Sequence, residues 1–199
     1  MAVSARCPCP AGCELCSAIA SVSSWVDPLP LLRGATVDVP EPRVVCRGAV
    51  RERDVETGAF LDLHVRGGVL LPASGAVRFD AVVPSAISRI RLPDVQLRAE
   101  LLDRQARARR RRLVQASLPN VEARVVRVLA DLSVRVGIPD AEGTLLPLAL
   151  TRRTVAELVG CREESLVRLV SRWEAEGVIE WGREGIRLRA PWLSLAAAR

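Results

Sequence analysis

Four cysteines fall within ten residues near the start of the chain, Cys7, Cys9, Cys13 and Cys16 in the run CPCPAGCELC. Thiolates this close together can converge on one metal centre. Their spacing is C-x-C-x3-C-x2-C, and the C-x2-C step ending at Cys16 fits either an iron-sulfur cluster or a tetrahedral zinc ion. A metal-free thiol switch is the third reading that these residues leave open.

Few other residues carry chemistry. There is a single histidine, His64, with no hydrolase or kinase motif and no acid pair on a recognisable pocket, so an enzyme finds little support. On a strand, His64 reads as a half-buried structural residue rather than a haem ligand. The chain has 199 residues, 49% of them hydrophobic, enough for one sizeable or two small domains. Its net charge of +6 permits a nucleic-acid partner. Every basic residue except His64 is arginine, a bias that discounts arginine richness and leaves position to carry the argument. No apolar run approaches the roughly 20 residues of a membrane span, and cysteine and proline stand where a signal peptide needs an apolar core. The expectation is a cytoplasmic chain with no membrane partner, a reducing setting in which clustered thiols bind metal or sense redox state.

The elements that must position these residues follow in zones. Residues 1–42 read as a cysteine-rich cofactor-binding arm and linker. Residues 43–92 hold short β-like runs, VVCRGAV, AFLDLHV, AVRFDAVV and AISRIRL, separated by turn residues. That length predicts a reduced sheet or partial barrel, too short for a complete eight-stranded cup. Residues 93–118 read as a long helix with Val95, Ala99, Leu102, Ala106 and Leu113 in a heptad seam that suits a homodimer. Arg109 occupies the remaining slot, where it would face its symmetry mate at a cost on the order of 1 kcal/mol. The run Arg109 to Arg112 reads as a solvated helix face in preference to a phosphate contact.

Residues 119–199 form the last zone. Asn120 caps a helix whose apolar stripe is Val121, Val125, Val128, Leu129 and Leu132, and a loop through Gly137, Pro139 and Gly143 follows. Thr151 then caps a short helix, Gly160 makes a tight turn, and a second helix buries Leu166, Leu169, Val170 and Trp173. Residues 178–181 and 185–189 read as a β-hairpin around Gly182-Arg183-Glu184. This is a helix-turn-helix with a wing.

From Leu150 to Ile179 the sequence resembles the DNA-binding domain of the CRP/FNR family of bacterial transcription regulators, through TRRTVAELVGCREESLVR. More weakly, the likeness extends back to Val44. It implies an α+β fold: a small antiparallel β sensory domain (a truncated cupin-like barrel), a long dimerisation helix and a carboxy-terminal winged helix-turn-helix. It also implies double-stranded DNA with a two-fold-symmetric operator as partner, and RNA polymerase as a further one. Glu164 and Arg168 match the positions that read bases, Ser165 matches a phosphate contact, and Thr151 and Arg152 lie where the first helix crosses the backbone. Arg162 stands at the head of the second helix, and Glu163 and Val167 are the variable readers. Residues 150–181 carry five Arg and six Glu, so phosphate affinity must lean on wing residues such as Arg183 and on the long helix. Cys161 fills the small buried turn position.

The resemblance also bears on the sensor. Gly67-Gly68 is followed by VLLP with no acidic partner, which argues against a cyclic nucleotide. The amino-terminal thiols resemble the oxygen-sensing branch and imply a 4Fe-4S cluster responsive to oxygen, nitric oxide or redox state, coupled to dimerisation and operator binding. The chain departs from that branch in its C-x-C-x3-C-x2-C spacing and in Ser88, which stands where the branch has its fourth cysteine. Either Cys7, Cys9, Cys13 and Cys16 all bind, or three of them bind with Cys46. Zinc remains the alternative, in a non-sensing DNA-binding adaptor that docks another protein.

Overall fold

The computed structural model describes residues 28–72, 76–90, 95–189 and 192, and the chain divides into two compact units, residues 1–109 and 110–199. Cys7, Cys9, Cys13 and Cys16 lie outside the described residues.

Eight short strands build the first unit: β1 Leu29–Leu31, β2 Thr36–Val37, β3 Arg43–Arg47, β4 Ala49–Asp54, β5 Phe60–Val65, β6 Val69–Leu70, β7 Val77–Ala81 and β8 Ser85–Arg89. They form two antiparallel four-stranded sheets, ordered β1-β8-β3-β6 and β2-β7-β4-β5. Val45, Leu70 and Ile87 from one sheet pack with Val37, Val50 and Phe79 from the other, and burial of each such side chain contributes about 1.5–3 kcal/mol. Strand β3 is buried on both faces, because Val44 and Cys46 pack in a second cluster with Leu101 of helix α1, Val95–Ala116.

Eight strands form, but not the complete eight-stranded cup that the length argued against. Strands β1 and β2 fall within the stretch read as linker, where Pro28, Pro30 and Pro40 interrupt any period-two signal. Two open sheets result, packed face to face through apolar side chains.

In the second unit, α2 (Val121–Val136) begins at Asn120, whose side chain accepts the Glu122 N–H at 2.9 Å. Strands β9 (Ile138–Asp140) and β10 (Gly143–Leu146) come next, then α3 (Arg152–Val159), α4 (Glu163–Ala175), β11 (Ile179–Trp181) and β12 (Ile186–Arg189). The wing is therefore larger than a hairpin: β9 and β10, in the stretch read as a loop, complete a sheet ordered β11-β12-β10-β9. Gly185 makes that closure possible. Its φ is +141° and a Cβ there would sit 1.9 Å from the Leu146 carbonyl oxygen, so a side chain cannot be accommodated without moving backbone. Val125, Leu129, Val155, Leu166, Val170 and Trp173 of the helices and Ile186 of the sheet are fully buried, and Trp192 meets Trp173 edge to face at 5.6 Å.

Candidate nucleic-acid interface

Helix α3 starts where Thr151 Oγ1 accepts the Thr154 N–H at 3.1 Å, satisfying one of the donors a helix start leaves open. It ends at Gly160 in the left-handed conformation, φ +70°, with the Gly160 N–H returned to Ala156 and Glu157. Two arginines complete that end. Arg112 donates to the Leu158 carbonyl at 3.1 Å and Arg124 to the Gly160 carbonyl at 3.0 Å, placing positive charge at a helix C-terminus.

Across the turn, α4 buries Leu166, Val170 and Trp173 at helical spacing. That packing turns the rest of its first two turns outward: Arg162, Glu163, Glu164, Ser165 and Arg168 are all exposed. Glu164 and Arg168, four residues apart, share one face. An exposed row of this kind, carried on a fully packed opposite face, offers acceptor, hydroxyl and guanidinium groups at the reach a groove requires.

Arg152, expected at the phosphate backbone, has an intradomain role. Its guanidinium donates to both carboxylate oxygens of Glu174 on α4, at 3.3 and 3.2 Å, and lies 6.0 Å from the Trp181 ring centre. Trp181 in turn donates its indole N–H to the Leu150 carbonyl at 3.0 Å. In the wing, Arg183 is exposed in the turn, whereas Arg187 pairs with Asp140 and Arg189 with Glu180. Nothing local in the sequence signals these pairs, which join residues 9 to 47 positions apart. Cys161 is half-buried, and burial pushes its thiol up despite the lowering influence of Arg124. It therefore stays protonated at neutral pH, in line with the turn position expected of it.

On α1, the seam residues Val95, Ala99, Leu102, Ala106 and Leu113 are exposed. Val95 and Leu113 are 83% and 73% accessible, and with Leu102 they leave large apolar side chains exposed along the helix. The Arg109 guanidinium donates to Glu52 Oε1 of β4 at 2.5 Å. Of the run Arg109 to Arg112, the first and last are thus engaged within the chain, and Arg110 and Arg111 are exposed.

Cys46 is only 2% accessible, among apolar side chains, with its Sγ 3.8 Å from the Val44 carbonyl it donates to. The other cysteines of its expected ligand set lie outside the described residues. Ser88 is likewise buried. His64 is more deeply buried than expected and is bonded to Glu52.

Residues 123–192 match the Crp-like helix-turn-helix domain. No curated protein matches the chain. Among solved structures, FixK2 from Bradyrhizobium japonicum is similar with a TM-score of 0.70 and 18% identity, over 87% of this chain and 97% of that one. A CRP/FNR-family transcriptional regulator from Thermus thermophilus gives 0.65 and 21%, over 87% and 100%. The c-di-GMP responsive global regulator CLP of Xanthomonas campestris gives 0.60 and 18%, over 88% and 98%. At these identities the likeness shows the fold, which is that of the CRP/FNR regulators.

Proposed function

We propose that this chain, with a Crp-like helix-turn-helix domain set in the fold of the CRP/FNR regulators, is a DNA-binding transcription regulator acting as a homodimer. One observation carries the reading: the exposed row Glu163, Glu164, Ser165 and Arg168 on α4, held out by the buried Leu166, Val170 and Trp173. Arg168 donates to guanine O6 and N7, Glu164 accepts from cytosine N4, and Ser165 and Thr151 bond phosphates. The wing contributes Arg183. Arg152 supports this surface from within the domain. Pairing of two chains through Val95, Ala99, Leu102, Ala106 and Leu113 covers the exposed face of α1 and presents two α4 helices to a two-fold-symmetric operator.

The input in this reading is a 4Fe-4S cluster held by Cys7, Cys9, Cys13 and Cys16. The burial of Cys46 among apolar side chains supports that set over one that includes it. When bound, such a cluster supplies a group that oxygen and nitric oxide attack.

Selection from a random double-stranded DNA library tests the regulator, with an inverted repeat of two half-sites as the expected product. Enrichment without symmetry, or no enrichment, overturns it. The cluster is tested separately by anaerobic purification: iron and sulfide in near-equal amounts are expected, and bound zinc without sulfide rejects the cluster in favour of a structural site.

A further inference from the structure

Strands β4 and β5 pair so that Glu52 lies opposite Asp62 and Val50 opposite His64. Side chains two apart on a strand share a face, so Glu52, Asp62 and His64 all project to the side on which Val50 joins the apolar interior. The three are 3%, 7% and 4% accessible. One donor atom from each lies within 4.8 Å of the other two, and His64 Nε2 is 2.8 Å from Glu52 Oε2. Donors around a single ion at about 2.1 Å sit roughly 3–4 Å apart, which a small rotation of these side chains reaches.

Charge makes the case stronger. Two carboxylates directly opposite across a strand pair are destabilising, and burial amplifies the cost. Positive charge beside them relieves it, and at Glu52 the Arg109 guanidinium supplies that charge. A divalent ion among the three donors faces both carboxylates, of which Asp62 already accepts the Leu63 N–H at 2.7 Å. Ion and guanidinium then repel each other across Glu52. Arg109 is half-exposed and can withdraw to solvent cheaply, whereas Glu52 cannot.

Arg109 is also placed to leave. At about 100° per residue it lies about 80° around α1 from the buried Leu101 and about 20° from the exposed Leu102. It thus stands on the border between the helix face against the sheet and the apolar face turned outward.

We propose that Glu52, Asp62 and His64 form a site for a divalent first-row transition ion, and that the ion and Arg109 compete for Glu52. One imidazole with two carboxylates suits manganese, iron or zinc in their divalent states. Ion entry exchanges the His64 to Glu52 hydrogen bond for shared ligation and replaces the Arg109 to Glu52 ion pair. The proposal uses none of the amino-terminal thiols and does not depend on the regulator reading.

Manganese(II) is the probe, because thiolates bind it poorly and the cysteine arm then does not compete. Loss of the free-ion paramagnetic resonance signal is followed in the full chain and in variants. Arg109→Gln is expected to bind one equivalent at least about ten-fold more tightly than the unaltered chain, a gain that misfolding cannot imitate. Adding His64→Gln to Arg109→Gln should abolish that gain while the thermal unfolding transition persists. Equal affinity of Arg109→Gln and the unaltered chain overturns the competition, and tight binding that survives loss of His64 overturns the site.

Discussion

Arg152, in the first turn of α3, holds Glu174, near the end of α4, through both carboxylate oxygens at 3.3 and 3.2 Å. The pair ties the start of one helix to the far end of the next and fixes the angle at which α4 stands out. Both side chains are about one-third exposed, so solvent screening limits its worth. A double-mutant cycle of Arg152→Ala and Glu174→Ala in denaturant unfolding is expected to give a coupling of about 0.5–1 kcal/mol. No coupling would mean that the angle is set by apolar packing alone.

Base-reading and phosphate-binding residues separate by their response to sequence and salt. Arg168→Ala and Glu164→Ala should each cost about 1–3 kcal/mol on the selected operator and relax the preference at one base pair per half-site. Arg183→Ala should weaken all sequences alike and reduce the salt slope by about one for each phosphate no longer neutralised. Fluorescence anisotropy across a salt series on matched and mismatched duplexes reads both.

Of the four glycines of the second unit with positive φ among the described residues, Gly160 and Gly185 have it for different reasons, and alanine distinguishes them. At Gly160 the space is open, since a Cβ there would meet only the Arg124 guanidinium, at 3.9 Å, so Gly160→Ala should cost only about 1–2 kcal/mol of backbone strain. At Gly185 a Cβ meets the Leu146 carbonyl oxygen at 1.9 Å, so Gly185→Ala must open the β10 to β12 pairing. Thermal unfolding should show a clearly larger loss for Gly185→Ala, with DNA affinity falling as the wing loosens.

The Cys161 thiol, pushed up by burial, should alkylate slowly at neutral pH. Its thiolate fraction lies below that of an ordinary cysteine until pH rises past the usual thiol range, so the rate should climb at higher pH than for a free thiol. Peptide mapping after timed iodoacetamide treatment isolates this residue from the other five cysteines. Rapid labelling at neutral pH would contradict the burial.

Asp54 offers a check in the first unit. The hydroxyl and backbone N–H of Thr57 both donate to one Asp54 oxygen at 2.7 Å and hold its carboxyl below the ordinary aspartate value. Since the folded value is the lower one, this stabilisation is present above the unfolded value and fades as pH falls through the folded one. A carboxyl titration by NMR should find Asp54 below an aspartate in an unstructured peptide, and Thr57→Ala should bring it back up.

What the sequence determined by itself is local. Thr151, Gly160 and the apolar steps of three and four lie within one helical turn of the groups they act on, so α3, α4 and the turn between them were legible before any tertiary contact. The helix α1 and its outward seam were legible for the same reason. Strands β1, β2 and β10 were not, because each is two to four residues long and is held by β8, β7 and β12, dozens of positions away, and β9, three residues long, exists only as the edge partner of β10. The partners of Arg109 and Arg112 were hidden likewise, 57 and 46 residues distant. Only the tertiary structure decided that the arginine in the seam answers a buried glutamate, that His64 stands beside two carboxylates, and that Cys46 is core. A charge or a thiol acquires its role from what surrounds it, and long-range pairing sets those surroundings.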